Sequence, residues 1–118
     1  MEEQIINIAK YVFNKLGPGY SERIYHNAME VCLREQHISY ETERIVPIIF
    51  DNHVIGNLRA DLIIDRSIIV ELKAVSCINN SVRNQTKTYL DMTGYKKAII
   101  LNFQQSEKVC ILEYESIF

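Results

Sequence analysis

RADLIIDRSIIVELKAV, residues 59–75, reads as two strands joined by a short turn, yet each apolar run carries ionisable side chains near its middle. Asp61 stands in the first run, and Glu71 and Lys73 stand in the second. Strands rich in Ile, Leu and Val exclude such groups, because a charge taken out of water is costly unless it is paired or holds a metal. Side chains alternate faces along a strand. Glu71 and Lys73 therefore project with Ile69 and Val75, opposite Ile68, Val70, Leu72 and Ala74. On the preceding strand the same rule groups Arg59, Asp61 and Ile63 against Leu58, Ala60, Leu62 and Ile64.

The turn decides whether the acids meet. A loop of residues 65–67 pairs Ile64 with Ile68 and sets Asp61 opposite Glu71, whereas a two-residue Asp65-Arg66 loop pairs Asp61 with Val70. The apolar pattern favours the first register, because it joins two aliphatic faces. An odd-numbered loop or an equivalent bulge is therefore expected. Two adjacent carboxylates repel, so keeping both ionised needs a cation. Lys73 supplies one charge, and a hard divalent ion such as Mg²⁺ or Mn²⁺ suits carboxylate oxygens. Phosphodiester hydrolysis then becomes accessible, with the lysine orienting water or stabilising developing negative charge. The plainer reading stays open: a half-exposed strand with Glu71 and Lys73 in solvent, and Asp61 paired to Arg59 or Lys73.

Outward from this stretch, Ile5, Ile8, Ala9, Val12 and Leu16 recur at helical spacing over residues 2–16, before GPG. A second helix is expected from about Tyr20 to Gln36, with Tyr20, Ile24, Ala28 and Val31 on related faces. Strands follow at 44–50, 54–64 and 67–75. Residues 81–93 are again helical, with Val82, Gln85, Tyr89 and Met92 in register and Gly94 as a stop. Two last strands fall at 97–103 and 108–114. The order α-α-β-β-β-α-β-β predicts an α/β (α+β) fold: an antiparallel meander, then a helical crossover that adds a parallel partner, in a mixed sheet flanked by helices.

The 118 residues show no repeat or linker-like segment, and a single domain spanning 1–118 is expected. No apolar run is long enough to span a bilayer, and the acidic, amphipathic start MEEQIINIAK does not resemble a signal peptide. Cys32, Cys77 and Cys110 are odd in number and lack metal-ligand spacing, so a zinc site is not expected. Cys32 and Cys110 read as small core residues, and a reducing, cytoplasmic setting fits best. The net charge of −2 argues against broad coating of nucleic acid, but not against an enzyme whose acids hold metal.

Two further groupings stand out. GPGYSERIY contains Gly19, Glu22 and Tyr25, with Glu22 in a first helical turn, where the helix dipole favours a carboxylate. His26 reads as a surface or hydrogen-bonded residue rather than a ligand. In QTKTY, Gln85 and Tyr89 share one helix face, where an amide and a phenol could hydrogen-bond a phosphate or fix Lys73, and Arg83 and Lys87 could meet backbone phosphates.

Asp61…Glu71-Leu72-Lys73 resembles the PD-(D/E)xK nuclease signature, and Gln85-x-x-x-Tyr89 resembles the motif that follows it in RecB-like members. With Gly19-x-x-Glu22-x-x-Tyr25, the chain resembles the GxxExxY proteins of that superfamily from about Leu16 to Phe103. The resemblance implies a restriction-endonuclease-like core and Mg²⁺- or Mn²⁺-dependent cleavage of nucleic acid, DNA first. By position it implies Glu22, Asp61 and Glu71 as metal ligands, Lys73 as the catalytic lysine, and Gln85 and Tyr89 as supports. Ala60 replaces the signature proline, and Val82 stands where that group would carry a histidine. The alternative function is a weak or inactive nuclease-fold module that binds nucleic acid or regulates. A homodimer would enlarge the small surface that such a chain offers a duplex.

Overall fold

The computed structural model describes residues 1–105 and 112–118. The elements are α1 (Glu2–Leu16), α2 (Glu22–Glu35), β1 (Tyr40–Phe50), β2 (His53–Ile64), β3 (Ile68–Lys73), α3 (Asn80–Thr93), β4 (Lys97–Asn102) and β5 (Glu113–Ile117), in the expected order. They form one five-stranded sheet, β1-β2-β3-β4-β5. β1, β2 and β3 make the antiparallel meander, β4 joins β3 in parallel through the α3 crossover, and β5 closes antiparallel on β4. Of the last expected strand, residues 108–111 lie outside the described residues, as does Cys110; the strand itself begins at Glu113.

α1 buries the expected stripe of Ile5, Ile8, Ala9 and Val12, adds Phe13, and ends at Gly17 with φ +72°. α2 departs from expectation. Its buried residues are Tyr25, His26, Met29, Cys32 and Leu33, while Ile24 and Val31 are exposed. The helix carries two apolar stripes about 100° apart, one residue out of phase. The Tyr25 stripe is the one fixed inward, because the Tyr25 hydroxyl donates to Gly17 O at 2.7 Å and accepts the Tyr20 N–H at 3.3 Å. The same bonds hold residues 17–20 in a loop, so the helix starts at Glu22 rather than Tyr20. Tyr25 also stacks on Phe103, with ring centroids 4.4 Å apart.

Two apolar layers sandwich the sheet. Under α1 and α2 lie Leu62, Ile64, Ile68, Val70, Leu72, Ile99, Leu101 and Phe103. Under α3 lie Ala60, Ile63, Ile69 and Ala98 with Tyr89 and Leu90. Leu62 and Ala60 are two residues apart yet belong to opposite layers, so β2 does not keep the strict alternation that would group Leu58, Ala60, Leu62 and Ile64. β1 turns with it: Thr42 meets His26 of α2, and Arg44 meets Tyr95 beyond α3. The rung between, Glu43 against Asp61, is missing from the ladder, and Glu43 has φ +55°. The two-stranded ribbon reverses its faces there without losing register, a local excess of the right-handed twist of strands.

β3 stops at Lys73, short of the expected Val75, because a side chain takes over from the ladder. Fully buried Asn102 accepts the Val75 N–H at 3.0 Å and donates through Nδ2 to Val75 O at 3.1 Å and to Glu113 Oε1 at 2.8 Å. That same Glu113 oxygen accepts the Ile78 N–H at 2.8 Å. The connection from Lys73 to α3 is thereby held by polar contacts, and α3 itself is capped by Asn79 and stopped by left-handed Gly94. Replacing Asn102 by alanine strands several buried polar groups, each worth about 1–3 kcal/mol. Thermal unfolding of Asn102→Ala is expected to show a loss of about 2–3 kcal/mol, against under about 0.5 kcal/mol for a surface control such as Gln4→Ala.

Candidate active site

The β2–β3 turn places the acids. Asp65 and Arg66 take positive φ, the Ser67 N–H closes on Ile64 O at 3.1 Å, and Ile64 pairs with Ile68. This is the expected odd register with its extra residue at the turn. Paired residues then run through Ile63 with Ile69 to Leu62 with Val70, where the ladder ends. One step further, Asp61 and Glu71 stand opposite each other in the fork between the separating strands. The Asp61 carboxylate replaces the missing ladder, its Oδ2 accepting the Leu72 N–H at 2.7 Å.

Burial and the neighbouring Asp61 act together on the Glu71 carboxyl. Glu71 is pushed up to about 8, first by burial and then by the neighbouring Asp61 charge, while Lys73 pulls in the opposite direction. A buried carboxyl beside a like charge resists ionisation without a cation, so Glu71 is driven toward its neutral form at neutral pH. Lys73, half-buried at the end of β3, makes no ion pair among the described residues. Its charge acts on Glu71 from two residues away.

Asp61 also opens onto a cavity of about 200 Å³ lined by Glu22, Arg23, His26, Arg59 and Leu72. Glu22, in the first turn of α2, therefore faces the same space as Asp61. Gly19 and Tyr25, the other members of its motif, build the loop that holds that turn: Gly19 has φ +107°, and its N–H donates to Gln105 Oε1 at 2.9 Å. Glu22, Asp61 and Glu71 do not close into a ligand set; among the described residues no three His, Cys, Asp or Glu side chains gather tightly enough to hold an ion. Buried His26 is hydrogen-bonded, as expected, with Nε2 2.9 Å from Thr42 Oγ1 and 3.0 Å from Glu30 Oε2.

The two residues of α3 fare differently. Tyr89 is buried, bonds Arg44 O through its hydroxyl at 3.3 Å, and lies close enough to Glu71 for that charge to join burial in raising its phenol. Gln85 is exposed. Arg83, read as a phosphate contact, is instead engaged by Glu115 of β5, with Nε 2.8 Å from both carboxylate oxygens. Asn102 and Gln105 had escaped the sequence reading. The signal for Asn102 was the one that flagged Asp61, a polar residue inside an apolar strand.

The sequence model of the PD-(D/E)XK nuclease superfamily matches residues 1–112. The chain belongs to that superfamily. Among solved structures it is similar to the crystal structure of SSO0001, at 24% identity and a TM-score of 0.57 over 80% of this chain. This chain spans 48% of that one, and the likeness bears on the fold, a mixed sheet flanked by helices as in restriction endonucleases. No curated protein matches. No helix among the described residues is long and apolar enough to cross a membrane.

The raised Glu71 should be visible in stability. Below 4.5, the ordinary value, Glu71 is neutral in the folded and unfolded states alike. Between 4.5 and about 8 only the unfolded chain ionises it, so stability falls as pH rises, by up to ~1.4 kcal/mol per pH unit from this group. Above about 8 the loss levels off. In chelator-treated protein, Glu71→Gln should therefore gain stability relative to wild type between about pH 5 and pH 8. A Glu71→Gln difference that does not change across that range would contradict the raised Glu71.

Proposed function

We propose that the chain is a divalent-metal-dependent nuclease acting on DNA, with Asp61 and Glu71 as principal metal ligands. The register that sets these two carboxyl groups opposite each other at the β2–β3 fork, with the Lys73 charge acting on Glu71, carries the reading. The donor set fits a hard cation: two carboxylates that cannot both ionise alone, with Glu22 across the cavity positioned to assist through water. Mg²⁺ or Mn²⁺ bound there supplies Lewis acidity toward a phosphoryl oxygen and lowers the pKa of water.

The chain's own groups do the rest. The Leu72 N–H fixes one Asp61 oxygen and leaves the other for the ion. The Lys73 ammonium orients the attacking water and offsets the negative charge that develops on the phosphoryl group. Tyr89 braces β1 against α3 beside Glu71, and Gln85, exposed on the same helix, is free to meet the substrate. Gly19, Glu22 and Tyr25 support membership of the GxxExxY group, and we place the protein in the cytoplasm, with residues 1–118 forming one nuclease domain.

A second reading, a nuclease-fold module without turnover, draws on the open arrangement of the three acids. Cleavage assays separate the two. With Mn²⁺ and labelled DNA, Lys73→Ala and Glu71→Ala are expected to lose at least ~100-fold in rate while unfolding cooperatively. Equal trace cleavage by wild type and both variants would overturn the enzyme reading. Mn²⁺ should also raise the melting temperature of wild type with occupancy, and Asp61→Asn should abolish that rise.

A further inference from the structure

Past the fork, the β1–β2 ribbon runs on without β3. Its outer part, residues 45–58, holds a single charged side chain, Asp51, at the turn. Ile45, Ile49, Phe50, Val54 and Ile55 are 61–63% exposed. Ile49 and Val54 pair directly and share a face with Ile45, while Phe50, next in sequence to Ile49, points to the other face. A two-stranded ribbon in water is marginal unless something packs on it, and this one offers solvent the side chains that normally do the packing.

The chemistry narrows what covers it. Arg59 pairs with Ile45 at the base of the arm, and residues 46–58 beyond it contain no lysine or arginine, so the outer part offers nothing to phosphate backbones or anionic lipid. An uncharged apolar patch is complementary to itself, and the commonest self-association is a two-fold in which the same patch serves both subunits. The area is of the right order. Ile45, Ile49 and Val54, with exposed Pro47 on the same face, present roughly 400 Å² per copy at roughly 100 Å² each, before their neighbours are counted, about half the ~800 Å² per partner of a standard interface. Pro47 lies in edge strand β1 and has no N–H to extend the sheet, so the contact is made by side-chain faces rather than by strand addition.

We propose that the β1–β2 arm is a dimerisation surface, packing through Ile45, Ile49 and Val54 on the same arm of a second copy about a two-fold axis. Light scattering of the full chain should give twice its 13.8 kDa at about 10 μM, and I49E and V54E should each shift it to the single-chain mass. Hydrogen exchange on wild type is independent of whether those variants fold: amides of residues 48–57 should become at least about tenfold better protected on going from about 1 to 100 μM. Wild type at single-chain mass up to 100 μM would overturn the proposal, as would a dimer that persists in I49E and V54E or exchange unchanged by concentration.

Discussion

Two carboxyl groups held together in a fork between strands impose the constraint around which the rest is arranged. Asp61 and Glu71 would repel if both ionised, and burial deepens that conflict for Glu71. The structure tolerates them because β2 and β3 part there. Asp61 takes the Leu72 N–H that a third strand residue would have taken, so no backbone donor is lost by opening the ladder. The parting also coincides with the face reversal of the β1–β2 ribbon at the absent Glu43–Asp61 rung. That twist turns Asp61 toward the cavity beneath α2 while leaving Ile63 under α3.

The surrounding polar contacts hold that geometry from three sides. On one, Tyr25 and Gln105 hold the Gly17–Tyr20 loop and so aim the first turn of α2 at the cavity. On another, Asn102 and Glu113 pin the chain that leaves Lys73, fixing where β3 ends. On the third, the Tyr89 hydroxyl ties α3 to the backbone of β1. None of these groups need touch a substrate to matter, because a site built from two strands and two helices is only as exact as the contacts that set their spacing.

The proposed chemistry and the proposed dimer draw on separate parts of one ribbon. Near the fork its side chains are acids and arginines, and the apolar layer under α3 receives Val46 and Leu58. Farther out, the only charge is at the turn and the large side chains are exposed. The reversal of faces at Glu43 and Asp61 is the boundary between the two regions.

Periodicity and turn chemistry determined the order of elements, the mixed sheet, the β2–β3 register and hence the meeting of Asp61 with Glu71. All of these follow from local rules: a side chain's face is dictated by its neighbours' faces, and the hairpin register by the loop. Tertiary structure decided what local rules leave degenerate. α2 has two apolar stripes, and only the bonds from Tyr25 to the preceding loop select which one is buried. Ala60 was assigned to the wrong layer because alternation holds only while a strand keeps an even twist, and the reversal at Asp61 is visible only when β1 and β3 are both in place. Arg83 was free to meet phosphate until β5 brought Glu115 against it, a pairing across 32 residues that no window of sequence contains.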